Sequence, residues 1–302
     1  MEYTFSCLAN CQIQTLMRIM DENRLPPDRQ LAVIRDICKY VGKLPAGLNP
    51  GHVFELFIQR SGIKDPCRTI RKQQNQQGMA VKKVIEQLLD HSGSRILDTM
   101  KAASAGNLID VSFGSRFNLE KEILDQVQKD FSVDDTELFF EQLEKAEEIV
   151  ILADNAGEII IDKLLIDEIQ RWRATRGHNP VKVITFVKTM PLLNDALIED
   201  AEFAGLHTIG EVYDTGCSYI GTPFEYVSDF TRGKLKAADM IIAKGLANYE
   251  SLYDQEALQQ KLFYLFKSKC GLISEKIDVP INSIVCMNGQ NERNRTTSQE
   301  EK

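Results

Sequence analysis

The sequence predicts an α/β protein: a mainly parallel sheet in a three-layer, Rossmann-like C-terminal domain, preceded by an all-helical N-terminal domain. Three observations predict it. Up to about residue 117 the apolar residues recur at spacings of three and four, the period of a helix with one buried face. From residue 149 onward, short runs rich in Ile and Val alternate with longer amphipathic stretches. Those runs are apolar at nearly every position, as in strands covered on both faces, and parallel strands joined by crossover helices are covered in that way.

The helical period covers residues 12–22, 28–42, 50–60, 66–91 and 94–105, and again 118–131 and 134–146. Asn49 and Pro50 suit a helix start, with Asn as cap and Pro in the first turn, where its missing N–H costs nothing. Gly42 and residues 45–47 punctuate a loop. The first apolar run, 149–152, stops at Asp154-Asn155-Ala156-Gly157 and precedes a helix over 158–172. A second strand spans 181–187 and leads to a helix over 194–204. Residues 206–209 form a third, weaker strand, and 210–223, rich in Gly and polar residues, form a loop. A helix over 224–236 leads to a fourth strand at 240–243, and runs at 262–266 and 281–286 complete the sheet. The chain then divides into a helical domain (1–117), an α/β domain (118–287) and a polar, disordered tail (288–302).

Composition narrows the function classes. Hydrophobic residues make up 43% and charged residues 26%, as in soluble globular proteins. No apolar run is long enough to cross a bilayer, and the first twenty or so residues lack the basic-then-apolar pattern of a signal peptide. Membrane partners are not expected, and a cytoplasmic location is. The formal net charge is −8 and no block of Lys and Arg marks a nucleic-acid-binding face. Arg68, Arg71 and Lys72 read as the solvated face of a Gln-rich helix. An acidic protein with a small anionic substrate needs a local cationic pocket or a bound cation. Seven scattered cysteines do not form a secreted disulfide framework and suit a reducing compartment.

In open α/β sheets, ligands bind beyond the carboxyl ends of the strands. The first strand delivers Asp154 and Asn155 there, oxygen donors suited to Mg²⁺ or Mn²⁺, just before a glycine that opens a helix. The second delivers Lys188, then Asn194 and Asp195. The third leads to Asp214-Thr215-Gly216-Cys217 and Gly221-Thr222-Pro223, whose backbone suits an anion nest. The fourth delivers Lys244-Gly245, then Asn248. Each stretch alone also reads as an ordinary helix cap or surface loop. Independent caps, however, have no reason to recruit lysines at several strand ends. The combined kit of carboxylate and amide oxygens, lysine and glycine fits metal-assisted attack on a phosphate monoester.

These residues resemble the damage-control phosphatases, metal-dependent enzymes formerly grouped only as a domain of unknown function, and among them the stand-alone prokaryotic branch. The similarity rests on Ala105-Gly106-Asn107 with Asp110, Asp154-Asn155-Ala156-Gly157-Glu158, Asn194-Asp195-Ala196, Ala238-Asp239, Lys244-Gly245, Asn248-Tyr249-Glu250 and Cys270-Gly271. The resemblance implies that Asp154, Asn155 and Asp195 hold a divalent metal (Mn, Mg, Co or Ni). It implies that Lys244 meets the phosphate with Asn248 nearby, that Glu158 contacts substrate, and that Asn107 and Asp110 line the same pocket. Lys188 and Asn194 complete the candidate substrate contacts. The implied substrates are phosphate esters of sugars or damaged metabolites.

Two other classes compete. A carboxyl methyltransferase would favour a Gly-rich first loop, whereas this loop holds the single Gly157 and two metal-type oxygens. A non-catalytic metal- or phosphometabolite-binding module would use the same residues. A P-loop kinase is excluded by the missing motif. Two roles stay open for Asp154: a metal ligand with metal-bound water as the nucleophile, or a nucleophile that forms an aspartyl-phosphate. The ligand role is preferred because Asn155 and Asp195 complete a hard-ion site. Cys7, Cys11, Cys67 and Cys270 read as buried, unreactive residues, and no histidine falls in the motifs.

Overall fold

The computed structural model describes residues 12–41, 50–105 and 119–292. Cys7, Cys11, Gly42, residues 45–47, Asn107 and Asp110 therefore lie outside the described residues, as do 293–302. Three helices come first: α1 (Gln14–Glu22), α2 (Pro27–Val41) and α3 (Pro50–Ser61). They close on their own small core around Met20, Ile37 and Phe57, which also takes in Leu192 from a loop far along the chain. Then follow α4 (Arg68–Leu89), α5 (Arg95–Ser104) and α6 (Leu119–Val127).

The rest alternates strands and helices: β1 (Val133–Asp134), α7 (Thr136–Lys145), β2 (Glu148–Leu152), α8 (Glu158–Ala174), β3 (Lys182–Val187), α9 (Ile198–Ala204), β4 (Glu211–Asp214), α10 (Asp229–Ala237), β5 (Met240–Lys244), α11 (Gly245–Leu252), β6 (Leu262–Lys267), α12 (Gly271–Lys276) and β7 (Ile284–Asn288). The strands form one sheet in the order β1-β7-β6-β5-β2-β3-β4. The run from β6 to β4 is parallel, and β7 lies antiparallel on β6. Strand alternation separates the two faces. Ile149 and Ile151 pack toward α8 with Ile85 of α4 and Met100 of α5. Val150 and Leu152 pack toward Leu235, Leu252 and Ile273 on the opposite helices. The three-layer α/β architecture expected from the sequence is present. Its layer beside α8 is built partly from α4 and α5, so residues before 117 share one core with the sheet.

Several elements differ from their sequence expectation. Residues 206–209 are not a strand: Gly205 (φ 75°) caps α9, and the chain makes a 3-10 turn at Leu206–Thr208. The third strand is β4, inside the expected loop; as an edge strand it is partly exposed and lacks an apolar run. The expected helix at 194–204 begins only at Ile198, because Asp195 is extended and bridges to Asn155. The helix expected from 224 begins at Asp229, where Ser228 Oγ accepts from the Thr231 N–H. The last strand runs past 286 to Asn288, and Glu292 is buried with its carboxylate accepting from Tyr249 Oη at 2.9 Å, so residues 288–292 belong to the fold rather than to a tail. Arg71 is not on a solvated face: it is fully buried against Asp65, Glu199 and Asp200.

Candidate active site

Sheet order places the site. From β2 the chain proceeds to β3 and β4 on one side and later to β5 and β6 on the other, so the topological switch lies between β2 and β5. Leu152 pairs with Phe186 and with Ala243, so these strands end level with one another. Their C-terminal loops share one crevice.

Backbone bonds stitch the first two loops together. The Ala156 N–H donates to Asn194 O, the Ala196 N–H to Asp154 O, and the Lys188 N–H to Ala196 O, each at 2.9 Å. Asn155 and Asp195 pair as an isolated antiparallel bridge. This brings Asp154, Asn155, Glu158, Asn194 and Asp195 to one cavity of about 210 Å³. Asn155 Nδ2 donates to Asp154 Oδ2 and to Glu158 Oε1, both at 3.2 Å. Across the cavity, Gly245 (φ 78°) opens α11 against Asp154, and a Cβ there would stand 1.9 Å from Asp154 Oδ2. Only glycine fits that position on both counts.

The carboxylates are crowded. Asp195 is buried, its Oδ2 accepts no hydrogen bond from the described residues, and Lys188 Nζ stands 3.9 Å away. Burial pushes the Asp195 carboxyl up to about 6, against the pull of Lys188 and with the added charge of Glu158. Asp154 keeps an opening to the cavity but is otherwise deeply enclosed by protein. Burial, then Glu158 and Asp195, raise it well above the usual carboxylate range, while Lys269 and Lys188 oppose. Negative charge thus exceeds what the neighbouring lysines offset.

A divalent cation fits this donor set. The oxygens are hard, the Asp195 Oδ2 has no donor among the described residues, and a cation would relieve the like-charge repulsion. Among the described residues no three His, Cys, Asp or Glu side chains gather for a metal. The third donor would be the amide oxygen of Asn155 beside Asp154 and Asp195.

Three expected substrate contacts stand behind the cavity wall. Lys244 Nζ lies 2.8 Å from Asp162 Oδ1 and donates to Ala103 O at 2.6 Å, with both charged side chains buried. Burial would lower its pKa, but Asp162 and Glu158 outweigh that and raise it. Lys188 donates to Gly221 O. Asn248 Nδ2 donates to Lys244 O at 2.8 Å and Ala153 O at 3.2 Å, and its Oδ1 accepts from the Thr222 hydroxyl at 2.7 Å. It clamps the ends of β2 and β5 to the loop before α10. The lysines that do line the cavity are Lys267 and Lys269, which the sequence reading passed over. They were findable by the same rule, since they sit at the C-terminal end of a parallel strand, β6. Leu193 was also missed: it lines the cavity at φ 51°, a left-handed conformation unusual for leucine, one residue before Asn194. Ser104 shows that α5 ends at the cavity rim. Cys67 is buried and its thiol is pushed up to about 12 by burial, in keeping with an unreactive residue.

With this geometry in place, the chain can be set beside known proteins. The damage-control phosphatase ARMT1-like domain matches residues 5–285. The chain belongs to this family. A damage-control phosphatase of Pyrococcus horikoshii is 36% identical over 189 residues, covering 62% of this chain and 63% of that protein, less than two thirds of either. A damage-control phosphatase of Archaeoglobus fulgidus is 30% identical over 74% of this chain and 76% of its own length. An uncharacterised protein of Methanocaldococcus jannaschii is 30% identical over 78% of each. The crystal structure of a DUF89 family protein from P. horikoshii aligns with a TM-score of 0.84 at 28% identity, over 96% of this chain and 99% of that one. The family resemblance drawn from the motifs is therefore correct, and the fold is shared along nearly the whole chain.

Proposed function

We propose that the chain is a metal-dependent phosphatase that hydrolyses phosphate monoesters of small metabolites, sugar phosphates or damaged phosphometabolites among them. The observation that carries the reading is the crowding of Asp154 and Asp195 at the sheet's switch point, with an Asp195 oxygen that has no hydrogen-bond donor among the described residues, beside a cavity edged by lysines. Asp154, Asn155 and Asp195 would hold the metal, with Mn²⁺, Mg²⁺, Co²⁺ or Ni²⁺ suited to the oxygen donors. When bound, the ion supplies Lewis-acid neutralisation of the phosphoryl oxygens.

The chain's own residues do the rest. Lys267 and Lys269 offset the charge of an anionic ester entering the cavity. Lys188 partly offsets the burial that disfavours the Asp195 charge, and Asn155 orients Asp154 and Glu158 through its two N–H groups. Asn248 and the Lys244–Asp162 pair keep the β2 and β5 ends fixed, so the site is preorganised before substrate arrives. Glu158 and Asn194, which line the cavity, would contact the substrate. Leu193, Ile220 and Leu246 give the cavity apolar walls. The names borne by the Pyrococcus and Archaeoglobus relatives support the same activity. Five free cysteines among the described residues suit a reducing compartment such as the cytoplasm.

The test is hydrolysis of an aryl phosphate by purified protein, first with EDTA and then with each of the four metals. Metal-restored turnover is expected. A folded protein that turns over no phosphate ester with any of them is not a phosphatase of this kind.

A further inference from the structure

We propose that the polar stripe of α4 is the positioning element of the candidate site, and that Asn75 is the residue through which it acts. Arg71, Gln74, Asn75 and Gly78 recur at spacings of three and four, so they share one helix face, and all four are buried. That face meets the two loops that carry the site. Asn75 Oδ1 accepts from the Gly157 N–H at 2.8 Å, and its Nδ2 donates to Asp200 Oδ1 at 2.6 Å. Gln74 Oε1 accepts from Asn194 Nδ2 at 3.2 Å. Gly78 lies so close to the Gly157 carbonyl that a Cβ would stand 2.5 Å from its oxygen. One helix thus grips the turn that follows Asp154 and Asn155, and at the same time the segment around Asp195.

The charges on this stripe fix the orientation of the amide. A fully buried guanidinium demands carboxylate partners. Arg71 has three: Asp65 at 2.8 Å, Glu199 at 2.6 Å and Asp200 at 3.0 Å. Asp200 Oδ2 also accepts from the Leu197 N–H at 2.9 Å. A carboxylate held in this way can only accept, so the Asn75 NH₂ must face it, and the amide oxygen is left for the Gly157 N–H. The chain of dependence runs from Arg71 through Asp200 and Asn75 to Gly157, and so to Asp154 and Asn155 in the same turn. None of the first three lines the cavity, so they are positioning residues rather than catalytic ones.

The consequence for activity rests on the metal-phosphatase reading, but the grip on the turn does not. Asn75→Asp alone sets two carboxylates face to face in a buried place. Combined with Asp200→Asn, the carboxylate and the amide trade places and every donor again meets an acceptor. Two quantities are read for wild type, the single variant and the pair: hydrogen–deuterium exchange of residues 153–158 in metal-free protein, and the Mn²⁺ concentration for half-saturation by electron paramagnetic resonance. kcat and KM on an aryl phosphate follow. The single variant should exchange faster in that segment and need about 10–100-fold more Mn²⁺, the range usual for groups that orient metal ligands. Its kcat should fall more than its KM rises. The pair should return each quantity to within about threefold of wild type, the coupling expected of contacting residues. A single variant with wild-type exchange and Mn²⁺ binding overturns the proposal. So does a pair that recovers neither fold nor binding. If the single variant does not fold, the pair alone decides. If wild type binds no Mn²⁺, the metal reading fails, while the exchange measurement still tests the grip of Asn75 on the turn.

Discussion

Asp195 is a candidate ligand whose charge is disfavoured by burial. Its folded-state pKa, about 6, stands above the usual unfolded value of about 4, so the folded protein keeps a proton that the unfolded chain releases across that window. The stability of metal-free protein should therefore fall as pH rises from about 4 to about 6. Asp195→Asn should remove that part of the pH dependence and stabilise metal-free protein at pH 7 by roughly 2–3 kcal/mol, at about 1.4 kcal/mol per pKa unit. Urea denaturation of both proteins at pH 5 and pH 7 checks this, and equal pH dependence would count against it. Gly245→Ala acts from the other side. The new Cβ would meet Asp154 Oδ2 at a backbone φ of 78°, so a cost of at least about 1–3 kcal/mol is expected, together with loss of Mn²⁺ affinity. Denaturation and metal titration of that variant read both effects.

At the scale of elements, α4 shows how a helix can be chosen for contact rather than propensity. Gly78→Ala on a bare helix would gain about 1 kcal/mol. Here the methyl group would meet the Gly157 carbonyl at 2.5 Å and Ile160 Cδ1 at 2.9 Å, so the variant should be less stable by roughly 1–3 kcal/mol. A stabilised variant, measured by thermal unfolding, would contradict the packing of α4 on the turn before α8. The same helix shows where sequence reading reaches its limit. The strands β2, β3, β5 and β6 were legible because covered parallel strands are apolar at nearly every position. The strand β4 was not, because an edge strand of Glu, Val, Tyr and Asp has no such run. Asp154, Asn155 and Asp195 were legible because two rules, strand ends and hard oxygen donors, agree on them. Arg71 and Asn75 were not, because a charged, Gln-rich helix looks solvated until its long-range partners Asp200 and Gly157 are known. Lys244 was located at the correct strand end, but the direction of its side chain, toward Asp162, depends on a helix that the strand-end rule does not consider.

For the molecule as a whole, α4 and α5 share one buried core with the sheet. Ile85, Ile96 and Met100 are buried in the core that holds Ile149, Ile160 and Ile242. A fragment beginning at residue 118 would expose that face, and it is expected to aggregate or to lose fixed tertiary packing, as seen by near-ultraviolet circular dichroism. A well-folded fragment would mean that α4 and α5 are a separable domain after all. The candidate ligands Asp154, Asn155 and Asp195 follow strands of the sheet, α4 packs on the two loops that carry them, and Lys267 and Lys269 at the end of β6 edge the same cavity. The most direct test of the central claim is the anomalous difference map of a crystal soaked in Mn²⁺. The account predicts one strong peak within coordination distance of Asp154, Asn155 and Asp195, absent in Asp154→Ala and Asp195→Ala protein whose metal-dependent turnover is lost by about a thousandfold or more. A peak elsewhere, or Mn²⁺-dependent turnover that survives both substitutions, would contradict it.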